Sequence, residues 1–231
     1  MMRFARTATA LALFLAAASA SAAGMETFRA RGNEPFWSVE KTAEAITFQS
    51  MDGEPVMLAP VPAPRKDGNA DVYEATVGGE AFALTIADKV CADTMSGMPF
   101  PKSVRLALGA KTFAGCGGEP AALLHGAWMI AKIDGKPAVP GSKPTVEFGA
   151  DGKLNGNGSC NRFFGSYALT GEGLTAGDLG SSMMMCDQPL MDQEMMVLEI
   201  LKGLGGFAIG EDGALILRAN DGRTITARPV A

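Results

Sequence analysis

The chain has 231 residues and a formal charge of −5, from 20 Lys and Arg against 25 Asp and Glu. That acidity makes nucleic acid a poor partner, and a hydrophobic content of 47% excludes an intrinsically disordered chain. A single histidine, His125, excludes two- and three-histidine metal sites and leaves a triad hydrolase one residue to run through.

Taken in chain order, the first segment reads as targeting. Arg3 and Arg6 precede an apolar stretch, residues 8–18, too short to span a bilayer. Ala18-Ser19-Ala20 and Ala20-Ser21-Ala22 are both A-x-A cleavage sites. Residues 1–23 are therefore expected to be a signal peptide, with no lipid-attachment cysteine behind it. The expected product is periplasmic or secreted, without a transmembrane helix, and more acidic than the whole chain because Arg3 and Arg6 are lost.

Behind the leader, turn signals dominate. Asp-Gly occurs six times, at 52–53, 67–68, 134–135, 151–152, 212–213 and 221–222, and Gly78-Gly79 adds a seventh turn. Asp-Gly suits type I′ hairpins, whose two central residues both need positive φ. Short apolar or alternating runs beside these turns predict strands over residues 45–49, 72–77, 81–86, 104–108, 145–148, 214–218 and 224–228. Residues 55–64 hold four prolines and read as an extended loop or edge. The helix signal is residues 189–202. Pro189 suits its first turn, Asp187 its N-cap and Gly203 its stop; Met191, Met195, Leu198 and Leu201 define a stripe expected to be buried. The fold class is mostly β, as two small barrel-like sheet domains, the second α+β with that one packed helix. An N-terminal β-rich module spans 24–119, a linker 120–122 and the second domain 123–231.

Export decides how the four cysteines are read, since an oxidising compartment favours disulfides. Nearest-neighbour pairing gives Cys91–Cys116 and Cys160–Cys186, with almost equal spacing and one bridge per half. The two other pairings, and free or metal-bound thiols, remain open. No CxxC occurs, so thiolate metal binding is disfavoured.

Three blocks in the second half carry a family resemblance. They are Pro144-Thr145-Val146-Glu147-Phe148 leading to Asp151-Gly152, the run from Gly156 to Tyr167 containing Ser159-Cys160-Asn161-Arg162-Phe163, and Met183–Cys186 leading into Met191-Asp192-Gln193-Glu194. Together with Gly126-Ala127-Trp128 they resemble the META domain of the heat-shock-protein HslJ type. The resemblance implies a small β-sheet domain with one packed helix, an envelope setting under stress, and no catalytic activity. In the first half, Arg31-Gly32-Asn33-Glu34-Pro35-Phe36-Trp37, the block from Cys91 to Pro101, and Gly115-Cys116-Gly117-Gly118 resemble an uncharacterised bacterial envelope module. Within it Ser96, Gly97, Phe100 and Lys102 are similar to the inhibitory loop of the C-type lysozyme inhibitors.

The candidate binding residues are Ser96, Gly97, Phe100 and Lys102 in that loop, and Asn161, Arg162 and Phe163 in the second half. Arg162 can grip a carboxylate or phosphate in a two-pronged contact, although a structural role for all three is the simpler reading. Gly156–Ser159 lacks the following helix that a phosphate loop needs and reads as a strand connection. Met183-Met184-Met185 with Met191, Met195 and Met196 would suit Cu(I) as soft ligands, but core packing is the preferred reading. Arg31 to Trp37 combines an Arg/Glu ion pair with large rings and would suit a binding rim, although a capped strand entry with Phe36 and Trp37 inside is the preferred reading. The function expected is a non-catalytic, stress-related envelope binder with no catalytic residue, cofactor or resident metal. Its partner would be an envelope protein, a cell-wall fragment or a small ligand. The alternatives are inhibition of a c-type lysozyme through Ser96–Lys102, and Met-based Cu(I) binding.

Overall fold

A computed structural model describes residues 27–230, so the expected leader at 1–23 lies outside the described residues. Eleven strands form the first half: β1 (Phe28–Asn33), β2 (Phe36–Lys41), β3 (Ile46–Ser50), β4 (Val56–Leu58), β5 (Arg65–Asp67), β6 (Ala70–Val77), β7 (Glu80–Ala87), β8 (Cys91–Ala92), β9 (Pro99–Phe100), β10 (Lys102–Leu108) and β11 (Lys111–Gly117). Nine of them make one antiparallel sheet in the order β4-β3-β2-β1-β11-β10-β7-β6-β5, and it curls until β4 meets β6. The separate β8–β9 ribbon completes this half. Period-2 alternation sorts the strand residues between two faces. In β2, Trp37 and Val39 are buried while Phe36, Ser38 and Glu40 are exposed. The inner face carries Trp37, Phe48 and Phe113, with ring centroids 5.0–6.4 Å apart, packed with Leu84 and Leu106.

A 3-10 turn over Pro120–Leu123 leads to the second half. There follow β12 (Gly126–Ile133), β13 (Lys136–Pro137), β14 (Thr145–Phe148), β15 (Lys153–Asn157), β16 (Arg162–Thr170), β17 (Gly173–Ala176), β18 (Gly180–Ser181), the helix α1 (Gln188–Lys202), β19 (Leu204–Ile209), β20 (Leu215–Ala219) and β21 (Thr224–Pro229). The main sheet order is β17-β16-β15-β14-β12-β21-β20-β19, with β13 and β18 as side pairings. Its first and last strands approach so closely that a Cβ on Gly173 would lie 2.2 Å from the Gly205 carbonyl oxygen, so the sheet curls into a barrel-like form. A second core holds Val146, Phe148, Leu154, Leu215 and Ile225 under α1. The fold is mostly β with one packed helix.

Local details depart from the sequence reading in instructive ways. Only Gly78-Gly79 and Asp134-Gly135 place two positive-φ residues in a two-residue hairpin loop. Between β5 and β6 the loop is Gly68-Asn69 and glycine alone is left-handed, so the Asp-Gly register is off by one. Asp151, Asp212 and Asp221 keep ordinary φ and accept the backbone N–H two residues on, forming Asx turns that satisfy the chain without straining the aspartate.

The helix stripe is also rotated. Gln193, Val197, Ile200 and Leu201 are buried, whereas Met195 is 55% exposed and Met191 and Leu198 only half-buried. Gln193 takes a core position because its carbonyl accepts the Val139 N–H at 2.6 Å and its amide donates to Ser142 Oγ at 3.1 Å and to Ser159 Oγ. An apolar stripe count passes over a polar residue that is paid for by partners in distant loops. Asp187 stands at the N-cap but makes no side-chain capping bond.

Candidate functional site

The Arg31–Trp37 block forms the β1–β2 hairpin. Arg29 and Arg31 stand on the outer face of β1; Arg31 pairs in register with Ser38 and Arg29 with Glu40, and β3 adds Gln49 and Thr47 to the two rows. Gly32 faces inward. A Cβ there would lie 2.2 Å from Trp37 Nε1 and 2.4 Å from the Ala114 oxygen, so only glycine leaves room for the indole, whose N–H donates to that oxygen at 3.2 Å. Trp37 is 4% exposed and Phe36 50%, so only one of the two rings expected inside is buried. The expected Arg/Glu pair does not form. The Arg31 guanidinium instead lies 5.4 Å from the centre of the Phe100 ring.

Phe100 belongs to the second block, from Cys91 to Pro101. Its β8–β9 ribbon is bolted to the sheet by the Cys91–Cys116 disulfide, and Cys116 sits opposite Arg31 in the β1–β11 register. Asp93 orders the loop between the two strands. Its Oδ1 accepts Ser96 N–H and Ser96 O–H, both at 2.8 Å, and Met95 N–H at 3.2 Å; its Oδ2 accepts Asn33 Nδ2 at 2.9 Å. Burial pushes the Asp93 carboxyl up, but the bonds from Ser96, Asn33 and Met95 outweigh it and hold the group at about 2. Asn33 also donates to Thr94 Oγ1 at 3.1 Å. The two sequence blocks of the first half are thus one structural unit.

This unit walls a cleft of about 700 Å³ between the two halves. The floor is the outer face of β1–β3, with Arg29, Arg31, Ser38 and Gln49. Ser96, Met98 and Phe100 form one wall, and the turn Leu169-Thr170-Gly171 of the second half contributes the other. Past Arg31 and Ser96 the cleft continues into a hollow of about 660 Å³ rimmed by Phe36, Met51 and Met95, all at least half exposed. Arg29 is paired with Glu40 at 3.2 Å, whereas no carboxylate pairs with Arg31 among the described residues. An unpaired guanidinium beside apolar rims suits an anion carried on an apolar or flat body. All four cysteines are held in disulfides, so no thiol is left to act as a nucleophile.

The structure places the expected site residues unequally. Ser96 and Gly97 are exposed at the loop tip, Gly97 with φ +70°, but the Ser96 hydroxyl already donates to Asp93. Phe100 is buried, and Lys102 forms an ion pair with Asp88. In the second half Asn161 and Phe163 are buried and only Arg162 is exposed. Asn161 is a buried tie: its Oδ1 accepts Ser182 Oγ at 2.8 Å and Met184 N–H at 2.6 Å, and its Nδ2 donates to Glu194 Oε1 at 3.0 Å and the Met184 oxygen at 3.2 Å. The Cys160–Cys186 disulfide fastens the same loop. His125 is exposed beside the linker turn. The methionine run, read as core, is on the surface: Met183 is 97%, Met184 60% and Met185 92% exposed. Arg31 is not among the candidate binding residues; its sequence signal is the Arg-and-ring block from Arg31 to Trp37, read in preference as a strand entry.

Comparison with known proteins assigns the second half. Residues 121–230 match the family model described as META domain. Over 85 residues the chain is 32% identical to Heat shock protein HslJ of Escherichia coli (strain K12), a match covering 36% of this chain and 60% of that protein's length. An NMR structure of a protein from Burkholderia xenovorans is 27% identical, covers 48% of this chain and 86% of its own, and superposes with a TM-score of 0.41. Another NMR structure is 28% identical and covers 48% and 94%, with a TM-score of 0.40. Residues 121–230 are thus similar to META domains, HslJ's among them; the chain spans 60% of HslJ's length, and the first half lies outside the family match.

Proposed function

We propose that this is an exported, non-catalytic binding protein of the bacterial envelope, active under stress, that holds an anionic group of its partner in the cleft at Arg31. The partner is an envelope protein, a cell-wall fragment or a small ligand carrying a carboxylate or phosphate. One observation carries the reading: Arg31 stands over Phe100 on the cleft floor with no carboxylate partner among the described residues, while its neighbour Arg29 is neutralised. Export draws support from the leader-like residues 1–23 and from two disulfides, which persist in oxidising compartments. The stress role draws on the relation of the second half to HslJ. The non-catalytic reading draws on Asp93, whose carboxyl is locked by four hydrogen bonds rather than free to move a proton.

The test is capture from an envelope extract with wild-type, Arg31→Gln and Arg162→Gln baits. Wild type and Arg162→Gln are expected to retain the same partner and Arg31→Gln to lose it. Equal capture by all three overturns the cleft assignment. Inhibition of a c-type lysozyme is the second reading, favoured by the exposed, Asp93-braced tip at Ser96-Gly97. It predicts inhibition in a lysis assay that is lost in Ser96→Ala/Lys102→Ala. Full lysozyme activity at micromolar protein removes it.

A further inference from the structure

Outside the cleft, the second half carries a cluster that the binding reading does not use. Met184, Met191 and Met195 line one open hollow of about 410 Å³ beside the start of α1, together with Asn161, Asp192 and Glu194. Met191 and Met195 are one turn apart on α1 and therefore on the same face. Met184 lies on the preceding loop, which is not free to drift. Asn161 holds both its backbone N–H and its carbonyl, Glu194 holds Asn161, and the Cys160–Cys186 disulfide closes the loop two residues on. Met196, next in sequence, belongs elsewhere: it packs against the core and its sulphur accepts from Arg223 at 3.2 Å.

Burial does not account for this arrangement. Met184 and Met195 are 60% and 55% exposed, so they forgo most of the stabilisation that an apolar side chain gains in a core. What three thioethers around one hollow, two of them exposed and one half-buried, have in common is soft, neutral sulphur that stays a ligand where free thiols would be oxidised. Three rotatable bonds on each side chain let the sulphurs converge on one ion. We infer that Met184, Met191 and Met195 form a binding site for a monovalent soft metal ion, Cu(I), on the surface of the META domain. Asp192, Glu194 and Glu199 line the hollow against one cation, Lys202, so its charge balance favours a cation. The site shares no residue with the Arg31 cleft, so it stands or falls independently of the binding reading.

The test is anaerobic titration of the purified, disulfide-intact protein with Cu(I), competed against the chromophoric ligand bicinchoninate. One equivalent is expected to be withheld from the competitor. Met184→Leu, Met191→Leu and Met195→Leu are each expected to weaken binding at least about tenfold. Met57→Leu, which changes an exposed methionine of the first half, is expected to leave it unchanged. No complex against bicinchoninate, or an unchanged affinity in the triple leucine variant, overturns the site. Should the triple variant not fold, methyl NMR of the wild type decides: Cu(I), or the redox-inert Ag(I), must shift the ε-methyl signals of Met184, Met191 and Met195 first. Shifts confined to other methionines overturn the assignment.

Discussion

Asp93 offers the sharpest test of how the cleft is built. It is 7% exposed and accepts four hydrogen bonds, three within its own loop and one from Asn33 on β1. Asp93→Ala strands those donors, and a stranded buried donor costs about 1–3 kcal/mol; allowing for water reaching the loop tip, about 3 kcal/mol in total is expected. Asp93→Asn keeps an acceptor for Ser96 but cannot carry the charge. A carboxyl held at about 2, against an ordinary value of about 3.9, stabilises the fold above the ordinary value. That contribution is lost as pH falls from about 4 towards 2. Full linkage gives about 2.5 kcal/mol; halving it for solvent at the loop surface leaves roughly 1 kcal/mol. Trp37 reports on the first half and Trp128 on the second, so urea unfolding of a Trp128→Phe protein isolates the relevant core. Between about pH 4 and pH 2 the background protein should lose roughly 1 kcal/mol more than its Asp93→Asn counterpart. Parallel acid limbs in the two proteins would refute the charge-locked loop.

Three further changes probe separate parts of the molecule. Replacing either cysteine pair by alanine should cost about 3.5 kcal/mol, the closure entropy for loops of this length, and unreduced denatured protein should titrate no free thiol. Gly32→Ala drives a Cβ to 2.2 Å from the Trp37 indole nitrogen and should cost roughly 2–4 kcal/mol, read as a lowered urea midpoint of the first half with unchanged Trp128 unfolding. Gln193→Leu is close to isosteric but leaves the Val139 N–H without its acceptor and removes the amide donor to Ser142 and Ser159, although Ser142 keeps its bond to the Val139 oxygen; a loss of roughly 1–3 kcal/mol in the second half is expected, and an unchanged midpoint would contradict its role as a buried tie.

Strand runs were legible where alternation was clean, as in Thr145–Phe148 and Thr224–Pro229, and α1 was legible from its proline start and glycine stop. β15 was not, because Lys153–Asn157 is polar and its end overlaps Gly156–Ser159, which reads as a connection. Gly156 is there because a Cβ would meet the Thr145 oxygen at 2.2 Å and the Phe163 ring at 2.4 Å, so that glycine is packing and not a break. The methionines failed differently. Helical spacing permits more than one stripe, and hydrophobicity alone chose the methionine stripe over the one containing Gln193. Nothing in local sequence says that Val139, Ser142 and Ser159 will arrive to satisfy an amide. For the site, the two blocks of the first half were visible as blocks, but the pairing of Asn33 with Asp93 spans 60 positions and leaves no local signal.

The same long-range pairing explains why the cleft lies between the halves. Asp93 fixes the loop that ends in Met98, and Met98 packs against the core of the second half. The residue after next, Phe100, carries the Arg31 guanidinium over its ring. A ribbon of two short strands therefore serves three tasks. The disulfide at Cys91 holds it to the first sheet, Met98 anchors it to the second domain, and Phe100 presents the cleft's unpaired cation. The ribbon, the first sheet and the Leu169–Gly171 turn all line the cleft at Arg31, so a partner seated there as proposed would rest on both halves at once.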